Sequence, residues 1–124
     1  MAQPSRPPPH PVTVEFQALM RAAAKSGRYA QMIAVLSVAE WTYLEWASPH
    51  ADRAEHVPFW FGEWITLHSG EGFEAVVAHL RAQLDQVWPT LSPEDQAATQ
   101  SAFVSATRLE RAFFDAALAG YQTA

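Results

Sequence analysis

Cysteine is absent from the 124 residues, so no disulfide, thiolate metal site or cysteine nucleophile is available. Basic residues are scarce too. Eight Lys and Arg face thirteen Asp and Glu, a formal net charge of −5, and the basic residues form no stripe. That balance argues against nucleic acid and anionic membrane as partners and favours a small neutral or cationic ligand. No apolar run is long and uncharged enough to span a bilayer, and the opening residues lack the apolar core of a signal peptide, which predicts a cytoplasmic protein. Alternating β-branched strands, hairpin dipeptides, glycine-rich phosphate loops, internal repeats and the nucleophile elbow of Ser-His-Asp hydrolases are missing as well.

What is present is apolar and aromatic. Nearly half the residues are hydrophobic and five are tryptophan, the composition of one folded domain. Residues 1–11 are dominated by proline and predict a disordered, polyproline-like arm, leaving 12–124 as a helical domain. Phe16, Leu19, Met20 and Ala23 make a helical stripe from Val12 to Lys25, stopped by Ser26-Gly27. A long helix follows from Arg28 to Ala47, with Met32, Leu36, Glu40, Tyr43, Leu44 and Ala47 on the face expected to turn inward. Ser48-Pro49 ends it. A polar stretch, His50–His56, that can form a short extra turn precedes a short aromatic helix around Phe59–Ile65. Phe73, Val76, Val77, Leu80, Leu84 and Val87 then repeat at helical spacing up to Pro89. Ser92-Pro93-Glu94-Asp95 starts the last helix, expected to run to about Ala119 before Gly120 with Phe103, Ala106, Phe113 and Ala117 on its apolar side. The predicted fold is all-α with five helices.

Two carboxylates sit inside these apolar stripes, Glu40 and Glu110. An ionised, unpaired carboxylate is too costly to bury, so each must be paired, hydrogen-bonded or held protonated. Carboxylates whose surroundings separate their pKa values can divide proton donation from proton acceptance. The alternative is a structural ion pair with Arg21, Arg108 or Arg111. Tyr43, one turn beyond Glu40, is placed to orient a carboxylate or a ligand. The crowded Trp41, Trp46, Trp60 and Trp64 suit either a dense core or a pocket of flat rings. His50, Asp52, Glu55 and His56 lie close together without the helical spacing of a metal site and read as a solvated loop. His68 follows an apolar run and can face the glutamates.

The ordered motifs Ser26-Gly27-Arg28-Tyr29, Ala39-Glu40-Trp41-x-Tyr43-x-x-Trp46-Ala47, Glu63-Trp64-Ile65-x-x-His68-Ser69, Gly72-Phe73 and Ala106-Thr107-Arg108-Leu109-Glu110-Arg111-Ala112-Phe113-Phe114 resemble the TenA family, also called thiaminase II, from about Phe16 to Ala119. The resemblance implies an all-helical, haem-oxygenase-like fold that hydrolyses thiamin-related aminopyrimidines without a metal or cofactor. The family's nucleophilic cysteine falls at Ala39, which points to the branch that relies on glutamates and acts on 4-amino-5-aminomethyl-2-methylpyrimidine or its N-formyl derivative. Glu110 matches the glutamate that protonates the leaving group, and Tyr43 the family's tyrosine one turn along the central helix. Two pocket tyrosines fall at Phe16 and His68. Glu40 is then the expected base, with Trp41, Trp64 and Phe113 as an aromatic wall for the pyrimidine. The likeness covers about the second half of the family's domain, without the aspartate that reads the pyrimidine. It implies an exposed apolar face and either a homo-oligomer or a partner supplying the N-terminal half.

Overall fold

In the computed structural model, which describes residues 5–123, the first helix begins where proline allows it. Helix α1, Pro11–Lys25, carries Pro11 at its first position, where no amide hydrogen is needed, and His10 Nδ1 accepts from the Val12 N–H at 3.2 Å. It starts one residue before the expected Val12. Residues 5–10 of the proline-rich arm are exposed and neither helical nor extended into a strand; the rest of the arm lies outside the described residues. The turn into the next helix uses Ser26 twice: its Oγ donates to the Ala23 carbonyl at 2.6 Å and accepts from the Arg28 N–H at 3.0 Å. Gly27, at φ 67°, supplies the left-handed backbone that a side chain would disfavour.

Helix α2, Tyr29–Ala47, is followed by a three-ten helix, Ser48–His56, so the polar stretch takes the extra helical turn expected of it and is not an open loop. Helix α3, Phe59–Leu67, and helix α4, Glu71–Val87, come next, then a three-ten turn, Trp88–Thr90. Helix α5 spans Pro93–Thr123, and at its start the Ser92 Oγ accepts from the Asp95 N–H at 3.1 Å. It does not stop at Gly120. That glycine has no positive φ, and a glycine in helical conformation weakens a helix by only about 1 kcal/mol without breaking it. The described residues contain five α-helices and no strand, as the all-α, haem-oxygenase-like expectation requires. None of these helices is long and apolar enough to cross a membrane.

Helix α2 is the centre, packed against α5, α4 and α1. Val35 and Val38 meet Ala23 of α1 and Ala106 of α5, with Leu19, Ala102 and Phe103 around them. The buried face of α2 differs from the expected one. Ala30, Ile33, Ala34, Val35, Ser37, Val38 and Ala47 are buried, whereas Leu36 is 45% exposed and Met32, Glu40, Tyr43 and Leu44 are half-buried. The helix is apolar on nearly every side, so spacing alone cannot choose its inner face. Packing on three neighbours selects the small residues Ala34 and Ser37, which let backbones approach. On α4, Val77 and Leu80 are buried but Val76 is exposed; on α1, Met20 is exposed while Phe16 and Ala23 are buried. On α5 the buried stripe holds through Ala106, Leu109 and Glu110 and then leaves the core, with Phe113 37% exposed and Ala117 exposed.

Helix α3 packs chiefly on the three-ten helix before it. Gly62 is the contact point: a Cβ there would run into the Ala54 carbonyl oxygen, a backbone atom that cannot rotate away. Gly62→Ala is expected to destabilise the protein by on the order of 2 kcal/mol, read as a lower urea midpoint at unchanged slope. The outer side of α3 leaves Phe59 76% and Trp60 66% exposed, with Phe61 and Leu67 beside them.

Candidate active site

Glu110 is 1% exposed, and neither carboxylate oxygen has a full hydrogen bond from the described residues. Its position follows from the stripe of α5, in which Ala106 and Glu110, one turn apart, both face α2. No cation neutralises it. Arg108 donates to Glu15 at 3.0 Å, Arg111 pairs with Asp115 at 3.6 Å, and Arg21 donates to Gln17 at 3.4 Å, so the structural ion pair left open by the sequence does not form. Burial is the main cause that pushes the Glu110 carboxyl from 4.5 up to about 7. The Tyr43 hydroxyl, approaching from α2, favours the charged form and offsets part of the rise, and the charge of Glu40 adds to it. Tyr43 is pushed above its ordinary value, first by burial, then by the charge and hydrogen bonding of Glu110, and last by Glu40. The three groups therefore form one electrostatic unit, with Tyr43 and Glu40 three residues apart on a single face of α2.

Around this unit stands a cluster of rings. Tyr43 lies 5.2 Å from His68, 5.6 Å from Trp64, 6.1 Å from Phe114 and 6.4 Å from Trp46, centroid to centroid, and the first three contacts are edge to face. His68 caps α3: its backbone N–H donates to the Trp64 and Ile65 carbonyls, and its Nδ1 lies 2.6 Å from the Trp64 carbonyl oxygen. Trp46 and Phe114 pack edge to face at 4.6 Å. Trp64 and Phe114 also line an open groove of about 520 Å³ with Phe113, Trp60, Phe61 and Ile65 among its walls, so the rings that touch Tyr43 continue to the exposed aromatic side of α3.

Of the residues singled out from the sequence, Glu110, Tyr43, His68 and Trp64 are brought together, and Glu40 acts on the first two through its charge. Phe113 touches Phe114 at 5.7 Å and Phe16 at 6.5 Å, which sets both at the border of the cluster. Trp41 is elsewhere. Its Nε1–H donates to Glu45 at 3.2 Å, Arg81 lies 3.8 Å over its ring, and it lines another groove of about 300 Å³ with Val38, Phe103 and Thr107, which meets the cluster only at Trp46. Two residues from Tyr43 is about 200° around a helix, so Trp41 could not have shared that face. Trp46, one of the crowded tryptophans, belongs to the cluster, and Phe114 and Phe73, which meets His68 at 5.3 Å, complete it without having been anticipated. Phe114 follows Glu110 by four residues, the spacing that could have found it. Among the described residues, no three His, Asp or Glu are grouped as metal ligands.

Fold and site together define a helical bundle that buries a carboxyl, Glu110, beside Tyr43 and the aromatic rings around that tyrosine. The chain belongs to the TENA/THI-4/PQQC family, whose model matches residues 3–120. It is similar to the aminopyrimidine aminohydrolase of Halalkalibacterium halodurans, 29% identical over 88% of this chain and 49% of that protein. It is also similar to the thiamine biosynthesis multifunctional protein ThiED of Corynebacterium efficiens, 28% identical over 88% of this chain and 15% of that protein. The chain thus spans about half the length of the first relative and a smaller share of the second.

Proposed function

We propose that this chain is a hydrolase of aminopyrimidines, acting on 4-amino-5-aminomethyl-2-methylpyrimidine or its N-formyl derivative in thiamin salvage. The observation that carries the reading is Glu110, a buried carboxyl without a cationic partner that exchanges its proton at about 7 beside Tyr43 and Glu40. A general acid works best when its pKa lies near the working pH. The activity named for the Halalkalibacterium relative supports the substrate class. In this scheme a flat pyrimidine stacks on Trp64 and Phe114, with Phe16 and Phe113 at the border, and the rings keep water from Glu110. Glu110 gives its proton to the departing amine while Glu40 takes one from the attacking water. In the aminomethyl substrate the C–N bond breaks, a C–O bond forms, and ammonia leaves. Tyr43 and His68 orient the groups.

A second reading, a ligand-binding or oligomerising module without turnover, is favoured by one observation. Phe59, Trp60, Phe61 and Leu67 are exposed next to the site. Fold alone does not confer activity. Under both readings this face is covered, by a second copy or by a polypeptide supplying the remainder of the fold. The test is ammonia release from the aminomethylpyrimidine by the purified chain, with light scattering to count its subunits. Saturable release supports the hydrolase; binding of the hydroxymethyl product with no release supports the module.

A further inference from the structure

Every residue from Arg6 to Pro11 is a proline or stands before one, and both positions hold the backbone extended. Residues 5–10 therefore make a stiff polyproline-type rod of about 19 Å, exposed along its length. His10 continues it into α1 at φ −58° and ψ 144°. The rod leaves the bundle beside a groove. Helix α1 runs antiparallel to α5, since Phe16 meets Phe113 while Ala23 shares a cluster with Ala106, so Pro11 lies at the end of α5 that carries Phe113. Phe113 is one wall of the groove of about 520 Å³, with Trp46, Trp60, Phe61, Trp64 and Phe114. Flat rings of this kind are the surface on which proline rings pack, and Trp60 is 66% exposed. Charge matches as well. Glu45 stands at the rim, lining the adjoining groove of about 500 Å³ with Trp46, Trp64 and Phe114, and among the described residues neither Glu45 nor Arg6 has an ion-pair partner.

We propose that the proline-rich arm of a second copy of this chain lies in the aromatic groove, prolines against the rings and Arg6 against Glu45, with the exchange made in both directions across a two-fold axis. Stiffness selects the second copy's arm over the chain's own. Phe113 is level with Phe16, about 7.5 Å inside α1 from Pro11, so an arm filling its own groove has to double back at its root. A proline run without glycine, extended at His10, resists that reversal. A neighbouring copy receives the rod unbent, and a preformed rod loses little conformational freedom on docking, which lets a short segment bind. This goes beyond the aminopyrimidine reading and does not depend on it; it commits the exposed aromatic face to one occupant.

The test combines light scattering over a dilution series with isotope-filtered NOE spectra of carbon-13-labelled and unlabelled whole chains mixed together. The wild type is expected to dimerise and to show contacts between proline δ-hydrogens of labelled copies and indole hydrogens of unlabelled ones. Trp60→Ala, at an exposed position where folding is not at stake, raises the dimer dissociation constant about thirtyfold. Arg6→Glu raises it about tenfold, and joining Glu45→Arg to Arg6→Glu restores most of the loss. A dimer left intact by Arg6→Glu and by Pro8→Ala with Pro9→Ala overturns the proposal, the pair then forming through the bare outer side of α3. A chain that stays monomeric overturns it too, and arm-to-indole contacts found only within one copy would make the arm a strap on its own groove. Ammonia release, on which the aminopyrimidine reading stands or falls, is a separate readout from all of these.

Discussion

If the chain is the proposed aminopyrimidine hydrolase, replacing Glu110 with glutamine is expected to lower the rate of amine release by about 100- to 10,000-fold, the range a positioned general acid contributes, while affinity for the hydroxymethyl product changes far less. Glutamine keeps the shape of the carboxylic acid and can still donate a hydrogen bond, but it has no proton to transfer. The separation of the two effects is the informative part. Glu110 is buried against α2 with no cation in reach, so nothing in its surroundings needs the negative charge for structure. Steady-state release of ammonia, set beside titration of the product, measures both quantities. Turnover that survives in Glu110→Gln removes this residue from the role of acid.

The same carboxyl makes stability fall as pH rises. In the unfolded chain Glu110 ionises near 4.5, whereas in the folded protein it holds its proton up to about 7. Between those values the folded state binds a proton that the unfolded chain has released, so raising the pH favours unfolding. The stability is fully present below about 4.5, declines through the window, and is level again above about 7. The loss amounts to up to about 3 kcal/mol, and to less in proportion as water reaches the carboxyl. Other carboxylates titrate at the lower end of the window, so the quantity to follow is the difference between wild type and Glu110→Gln in urea unfolding. That difference should change by this amount between pH 4.5 and 8, with the variant the more stable at pH 8. A flat difference means that Glu110 is ionised in the folded protein across the whole window.

Local chemistry made much of the fold legible. Ser48-Pro49 and Ser92-Pro93 mark helix ends through effects that act within a turn, and the structure places helix ends within a residue or two of them. Glu110 was legible for a related reason. It lies one turn from Ala106, within the apolar stripe of Phe103, Ala106 and Phe113. Helix α2 gave no such guidance, because a helix apolar all round leaves its orientation to its neighbours, and Leu36 turned outward as a result. The candidate site shows the same division. Tyr43 and Glu40 follow from a three-residue spacing, whereas the meeting of Tyr43 with His68, Trp64 and Phe114 depends on how α3 and α5 dock on α2, which no periodicity encodes. Only Trp41 was misplaced against a rule the sequence did contain, the 100° step of the helix.

The central claim is that a buried carboxyl on α5, a tyrosine on α2 and the rings beside them make a pyrimidine site within this chain. Calorimetric titration of the purified protein with 4-amino-5-hydroxymethyl-2-methylpyrimidine tests it most directly. The account predicts saturable binding close to one ligand per chain that is lost in Glu110→Ala. No binding by the wild type, or binding that Glu110→Ala leaves unchanged, would contradict it.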